Sequence, residues 1–252
     1  MDDKRRSAGS TIGGVAETLA FLHGFGGTRH AWDRVIAGLD PQRYRPLALD
    51  LPGHGDLGSY NRPITFAGCV EEVLAAAPDR FALCGYSMGG RVAQHVALTA
   101  PERVSRLVLV STSPGIEDSA ERARRRAADR VLAEDLERLP FAEFIELWRT
   151  QPLFADDPPE VGALAREEQL RNDPHALAKA MRGLGTGEME PLWRRLGELR
   201  MPVTIVVGDR DAKFRALGER MLALLRAGRL ASVPGGHRLP LENASGLARL
   251  LD

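Results

Sequence analysis

Six short apolar runs, each ending in a loop rich in Gly, His, Asp or Ser, punctuate this 252-residue sequence. Residues 18–22 lead into HGFGG, 45–49 into DLPGHG, 81–84 into GYSMGG, 107–111 into TSPG, 203–207 into GDRD and 230–233 into PGGH. Most are separated by helix-length segments, and one such segment carries Val92, Ala93, Val96 and Ala97 as an apolar stripe at helical spacing. Strands alternating with helices imply crossover connections around a mainly parallel sheet flanked by helices. In such sheets ligands bind beyond the carboxyl ends of the strands, so the polar loops should gather along one sheet edge.

From residue 114 to residue 199 the strand pattern stops. The segment is charged, helical in period and interrupted by Pro140, Pro152, Pro158, Pro159, Pro174 and Pro191. Because two strand ends bracket it, it is expected to lie over the polar edge as a helical cap. The organisation expected is therefore a flexible tail over 1–17, a core built from 18–113 and 200–252, and a cap over 114–199.

Charge excludes some partners. Lys plus Arg and Asp plus Glu each total 34, so no global field favours nucleic acid or an acidic membrane, and a charged ligand must be met locally. The N-terminal stretch has basic residues but no following apolar run of about 7 to 15 residues, as a secretory signal needs, and no segment approaches the ~18 apolar residues of a membrane span. Cys69 and Cys84 have neither metal-type nor disulfide-type spacing. A cytoplasmic location is expected. Oligomeric state is not legible.

The chemistry concentrates at Gly85-Tyr86-Ser87-Met88-Gly89, between a strand and a helix. In that context G-x-S-x-G is a nucleophile elbow, a strained turn that presents the serine at a helix N-terminus, where the dipole and free N–H groups favour negative charge. A serine hydroxyl needs an imidazole to take its proton, and the imidazole needs a carboxylate to fix its tautomer. Asp211 in GDRD and His237 in PGGH follow later strands in the required order. Asp209 competes for the acid position, and Asp211 is preferred because it sits further beyond the strand end. His23 and His54 lie in strand-end loops and are read as loop braces, whereas His30, His95 and His175 receive no role. The glycines around Phe25 would let its N–H join that of Met88 as an oxyanion hole. No metal-binding or nucleotide-binding motif is present, so neither a metal nor a cofactor is expected.

These motifs are shared across the α/β-hydrolase superfamily, which the chain resembles from about Thr18 onward. Arg91 directly after GYSMGG, together with ERARRRAADR, LWRTQPLF, LRNDPHALAKAMRGLGTG, PLW and GDRDAKF, resembles more narrowly the 2-succinyl-6-hydroxy-2,4-cyclohexadiene-1-carboxylate synthase family. That family has the fold of a hydrolase and the activity of a lyase: it removes a ring proton and expels pyruvate from an enolpyruvyl cyclohexene polycarboxylate. The resemblance implies Ser87 as base, His237 as proton relay and Asp211 as orienting acid. The oxyanion hole would hold charge developing on the substrate carboxylate.

It further implies a small-molecule polycarboxylate partner bound by Arg91, Arg125 and Arg171, with Tyr86, Trp148 and Gln151 lining the pocket. Arginine suits carboxylates because its planar fork engages both oxygens. Each assignment has a plainer reading beside it. Arg91 could be a surface helix residue, Arg171 a charge closing a helix before Asn172-Asp173-Pro174, and Trp148 core packing. Arg125 shares a helical stripe with Ala128 and Leu132 and is expected to point inward, while Arg126 and Arg130 have Asp129 and Glu134 at ion-pair spacing. Lys213 and Phe214 are family markers of underived role. Two departures stand out. Relatives often carry a second histidine shortly after the catalytic one, where this chain has Arg238, Leu239 and Pro240, and the short N-terminal region predicts that antiparallel edge strands are missing. The triad alone would equally suit a serine hydrolase of an ester or carbon–carbon bond, and a non-catalytic receptor on this fold would be marked by a broken triad.

Overall fold

The computed structural model describes residues 16–251. Residues 1–15, most of the expected tail, lie outside the described residues. Six strands form one sheet: β1 (Glu17–Leu22), β2 (Tyr44–Leu49), β3 (Phe81–Tyr86), β4 (Val104–Val110), β5 (Val203–Gly208) and β6 (Gly228–Val233). They lie in the order β2-β1-β3-β4-β5-β6, and every pairing is parallel, with β2 and β6 at the edges.

Alternation along the strands divides the core in two. Leu22, Leu83, Leu109 and Ile205 point to one face, where they meet α2 (Phe66–Ala76), α3 (Met88–Thr99) and α8 (Ala212–Leu222). Phe21, Cys84, Val108 and Val206 point to the other, against α1 (Asp33–Ile36) and α10 (Ala244–Leu251). A parallel sheet covered on both faces needs apolar residues at successive positions, which is why FALCGY is buried from Phe81 to Gly85. Strand order reverses between β1 and β3, and at that switch point the loops following the two strands diverge and leave a crevice at their carboxyl ends.

Between β4 and β5 the chain forms α4 (Ser119–Arg138), α5 (Phe141–Arg149), α6 (Pro159–Gln169) and α7 (Pro174–Leu184). Local chemistry starts these helices: the Asp118 carboxylate accepts from the Glu121 N–H, and that of Asp173 from the Ala176 N–H with Pro174 at the first helical position. Of the four, α7 sends Ala180 and Leu184 into the sheet core, while the rest of their apolar surface packs elsewhere. Ala133, Leu136, Phe144, Trp148, Leu177 and Met181 build a separate apolar cluster that Phe25, from the loop after β1, packs against. A short helix, α9 (Leu239–Glu242), follows the loop after β6.

Candidate active site

Ser87 links β3 to α3 with φ 50° and ψ −110°, a conformation that costs a residue with a Cβ of order 1–3 kcal/mol and persists only where its surroundings impose it. They do so here. A Cβ on Gly85 would lie 2.5 Å from the Gly89 carbonyl oxygen, and one on Gly89 would lie 2.5 Å from that of His23 and overlap that of Leu22. Only glycine lets α3 begin this close to β1. The turn is then pinned by the Ser87 N–H donating to the Val110 carbonyl at 2.9 Å and by the Thr112 hydroxyl donating to the Ser87 carbonyl at 2.7 Å.

His237 arrives from the loop after β6. Its Nε2 lies 3.2 Å from Ser87 Oγ, and its Nδ1 lies 2.8 Å from Asp211 Oδ2. Asp211 is at the start of α8, where its other oxygen accepts from the Phe214 N–H. Asp209, the competing acid, points elsewhere and accepts from the Gly235 N–H at 2.9 Å, which braces the histidine loop. Burial pushes the His237 imidazole below its ordinary value, against the opposite pull of Asp211. A neutral ring donating from Nδ1 and accepting at Nε2 is the form that can take a hydroxyl proton. Tyr86 and Phe214 pack their rings 5.5 and 4.6 Å from the imidazole. Those contacts give Phe214 the packing role that its sequence position left open.

Above the serine lies a cavity of about 900 Å³ whose walls come from the strand-end loops and from the helices between β4 and β5. The N–H groups of Phe25 and Met88, both on that wall, make no hydrogen bond to protein among the described residues. Arg91 and Arg125 reach the cavity together. Arg91 is buried and donates to Thr186 Oγ1 at 2.8 Å, but among the described residues no carboxylate pairs with it; burial and the neighbouring Arg125 charge lower its pKa to about 10. The Arg125 Nε donates to Asp129 Oδ1 at 2.7 Å, and Asp129 also accepts from the Gly187 N–H. The GTG segment thus holds the arginine pair from behind.

Trp148 and Gln151 also line the cavity. Trp148 packs against Phe25, Phe144 and Phe154 as well, so wall and core are the same residue there. Arg171 is not brought into the cavity. Its side chain lies past the end of α6, is half exposed and pairs with Glu168 at 3.0 Å. Two other expectations need correction. Asp129 pairs with Arg125, whereas Arg126 and Arg130 turn to Glu188, and β1 starts at Glu17 rather than Thr18. The brace reading of His23 agrees with its contacts: Nδ1 donates to the Gly24 carbonyl and Nε2 accepts from the Leu51 N–H. Sequence reasoning missed Arg238, whose buried guanidinium lies against the Phe154 ring and pairs with Asp157 at 2.6 Å. A charged residue beside the candidate base was the available signal. Among the described residues no cluster of three or more His, Cys, Asp or Glu could hold a metal, and no helix is long and apolar enough to cross a membrane.

A parallel sheet in this order, with a serine at a left-handed turn and a carboxylate-backed imidazole delivered by later loops, defines an α/β-hydrolase-fold protein. The chain belongs to the alpha/beta hydrolase family, whose model matches residues 19–250, and within it to the 2-succinyl-6-hydroxy-2,4-cyclohexadiene-1-carboxylate synthases. The synthase of that name from Salmonella agona is 32% identical over 237 residues, covering 92% of this chain and 91% of the relative. The structure of MenH from S. aureus matches with a TM-score of 0.87 at 33% identity, over 93% of this chain and 91% of that one. An enol-lactonase from Burkholderia xenovorans, at 20% identity and a TM-score of 0.79 over 94% and 90% of the two chains, shares the fold.

Proposed function

We propose that this chain is a carbon–oxygen lyase of menaquinone biosynthesis. It converts 2-succinyl-5-enolpyruvyl-6-hydroxy-3-cyclohexene-1-carboxylate to 2-succinyl-6-hydroxy-2,4-cyclohexadiene-1-carboxylate and pyruvate; the first product is the compound after which its relatives are named, and the substrate and pyruvate are what the family resemblance implies. The observation that carries the reading is the buried Arg91 guanidinium. With a hydroxyl and a second arginine as neighbours and no carboxylate partner, it awaits an anion beside Ser87.

The steps follow from the geometry. His237 Nε2 takes the Ser87 proton, and the serine oxygen removes the proton from ring carbon 2. Electrons from that C–H bond form the C2–C3 double bond, the C3–C4 double bond moves to C4–C5, and the C5–O bond breaks. The imidazolium returns its proton as the enol of pyruvate leaves and becomes the ketone. Carbon 2 adjoins the succinyl ketone, and a neutral ketone accepts charge more readily than a carboxylate that is already anionic. The Phe25 and Met88 N–H groups therefore serve the ketone oxygen rather than the ring carboxylate. Asp211 holds the tautomer, Arg91 and Arg125 bind substrate carboxylates, and Tyr86, Trp148 and Gln151 shape the wall.

Residues 114–199 act as a cap that excludes water and strengthens these interactions. A cytoplasmic setting fits Cys69 and Cys84, both buried as free thiols. The test supplies the enolpyruvyl cyclohexene substrate and couples pyruvate release to lactate dehydrogenase, with a panel of aryl esters in parallel. Pyruvate release lost in Ser87→Ala is the expected result. Fast ester turnover without pyruvate would instead make the chain a hydrolase.

A further inference from the structure

The end of α6 is tied to the loop carrying Phe25 by an unusual number of buried polar contacts. Glu168, on the last turn, is buried, and one carboxylate oxygen accepts from both the Thr28 hydroxyl at 2.8 Å and the Thr28 N–H at 3.2 Å. Asn172, also buried, donates through Nδ2 to the Gly26 carbonyl at 3.0 Å and accepts through Oδ1 from the Gly55 N–H at 3.0 Å. Between them Gln169 packs on Gly26, whose φ is +73°. Two groups on the C-terminal side of Phe25, the Gly26 carbonyl and the Thr28 N–H, are thus anchored by side chains at and just past the end of a helix from the insertion, some 140 residues away in sequence. Arg171 pairs with the second Glu168 oxygen at 3.0 Å, which fixes the carboxylate in the orientation that Thr28 needs.

We propose that Glu168 and Asn172 are positioning residues that set the direction of the Phe25 N–H, so that seating α6 on the core and completing the oxyanion hole are one event. This rests on the reading of Phe25 as an oxyanion donor. A buried carboxylate receiving two donors from one residue adds a hold on the far side of Phe25 to the loop's own tethers, which on the N-terminal side are the Gly27 N–H and His23 Nδ1 bonds to the Gly24 carbonyl at 3.1 and 2.8 Å. Displacing a donor by about 1 Å can cost on the order of a hundredfold in rate. Removing the anchor should therefore show in turnover and not in binding. Arg171 acquires a role as well: it acts through Glu168 and touches no substrate.

The experiment uses Glu168→Ala, Glu168→Gln and Asn172→Ala in the full chain, with folding checked by thermal melting. Two readouts are followed: kcat and KM for pyruvate release, and the second-order rate at which a small fluorophosphonate labels Ser87. In labelling, the serine oxygen attacks phosphorus, fluoride departs and His237 takes the hydroxyl proton, so the phosphonyl oxygen uses the same donors without needing the natural substrate. The expected result is a fall of about ten- to a hundredfold in kcat and in labelling for Glu168→Ala and Asn172→Ala, with KM not raised. Glu168→Gln, whose amide oxygen still accepts from Thr28, should recover to within about threefold of the parent. Folded Glu168→Ala and Asn172→Ala that both label within twofold of the parent would overturn the proposal. A parent chain that labels rapidly yet releases no pyruvate would refute the lyase reading, while the labelling series still decides the positioning role.

Discussion

Replacing Arg91 with methionine should make the protein more stable and far less active. Arg91 is 9% exposed, and burial, followed by the neighbouring Arg125 charge, lowers its pKa to about 10. At 1.36 kcal/mol per unit, holding it charged costs the fold about 3 kcal/mol. Because the folded pKa is depressed, that cost is fully present at every pH below about 10, neutral pH included. Methionine fills a similar volume without charge and loses the hydrogen bond to Thr186, worth about 1 kcal/mol. The net gain is about 2 kcal/mol, or a rise of roughly 4 to 8 °C in Tm for a chain of this size. Activity should move the other way. Truncating one partner of a buried, hydrogen-bonded charge pair costs about 2–5 kcal/mol, so kcat/KM for pyruvate release should fall between about 30-fold and several-thousandfold. Melting curves and steady-state assays on the same preparation check both. A variant that melts lower than the parent, or that keeps its kcat/KM, would refute the argument that the cation is held uncompensated for an anionic ligand.

The two aspartates of GDRD should separate cleanly. Asp211→Asn, which loses the acceptor for His237 Nδ1, should lower kcat by about 10⁴-fold, whereas Asp209→Asn, which weakens a brace on Gly235, should cost less than about tenfold in the same assay. The pH profile follows from the imidazole. Burial lowers His237 from its ordinary 6.5, and the reaction needs the neutral ring, so kcat/KM should stay level down to that value and fall only below it; a midpoint above 6.5 would contradict this. Gly89→Ala should fail to yield folded protein, because its Cβ would overlap backbone carbonyls of β1 and the loop after it. Soluble Gly89→Ala with a parent-like circular dichroism spectrum and melt would show that the elbow is less tightly constrained.

What could be foreseen from sequence divides along a physical line. The elbow, the strand ends and the meeting of Ser87, Asp211 and His237 follow from local sterics and sheet topology, which leave glycine and parallel order few substitutes. The helices between β4 and β5 lack that constraint. In α4 the charged residues fall on all faces, so the inward stripe cannot be read from polarity. Alignment with Ala128 and Leu132 predicts Arg125 inward, yet the buried residues are Asp129, Ala133 and Leu136, with Leu132 only partly buried against them and Ala128 exposed. Arg125 reaches the cavity because it lies one turn before a buried carboxylate. Arg171 shows the same gap from the other side, since which face of α6 meets the core depends on Glu168 and Asn172 finding partners in loops more than a hundred residues earlier.

The serine, imidazole and carboxylate would attack an ester as readily as they would remove a proton, so selection between the two reactions has to come from the cavity wall. Arg125 is neutralised by Asp129, and Arg238 by Asp157. Arg91 alone of these three faces the serine side without a carboxylate partner, and a neutral ester offers it nothing in return for displacing water. On the reading proposed above, a substrate carboxylate does, and once seated it would fix the ring relative to Ser87 Oγ. From there the first event open to a basic serine oxygen is loss of the proton beside the ketone, because the electrons can run on to a leaving group at carbon 5. Acyl transfer would need a carbonyl carrying a leaving group, and the succinyl ketone has none. On the proposed lyase reading, the placement of the Arg91 cation beside Ser87 directs the same three residues to elimination.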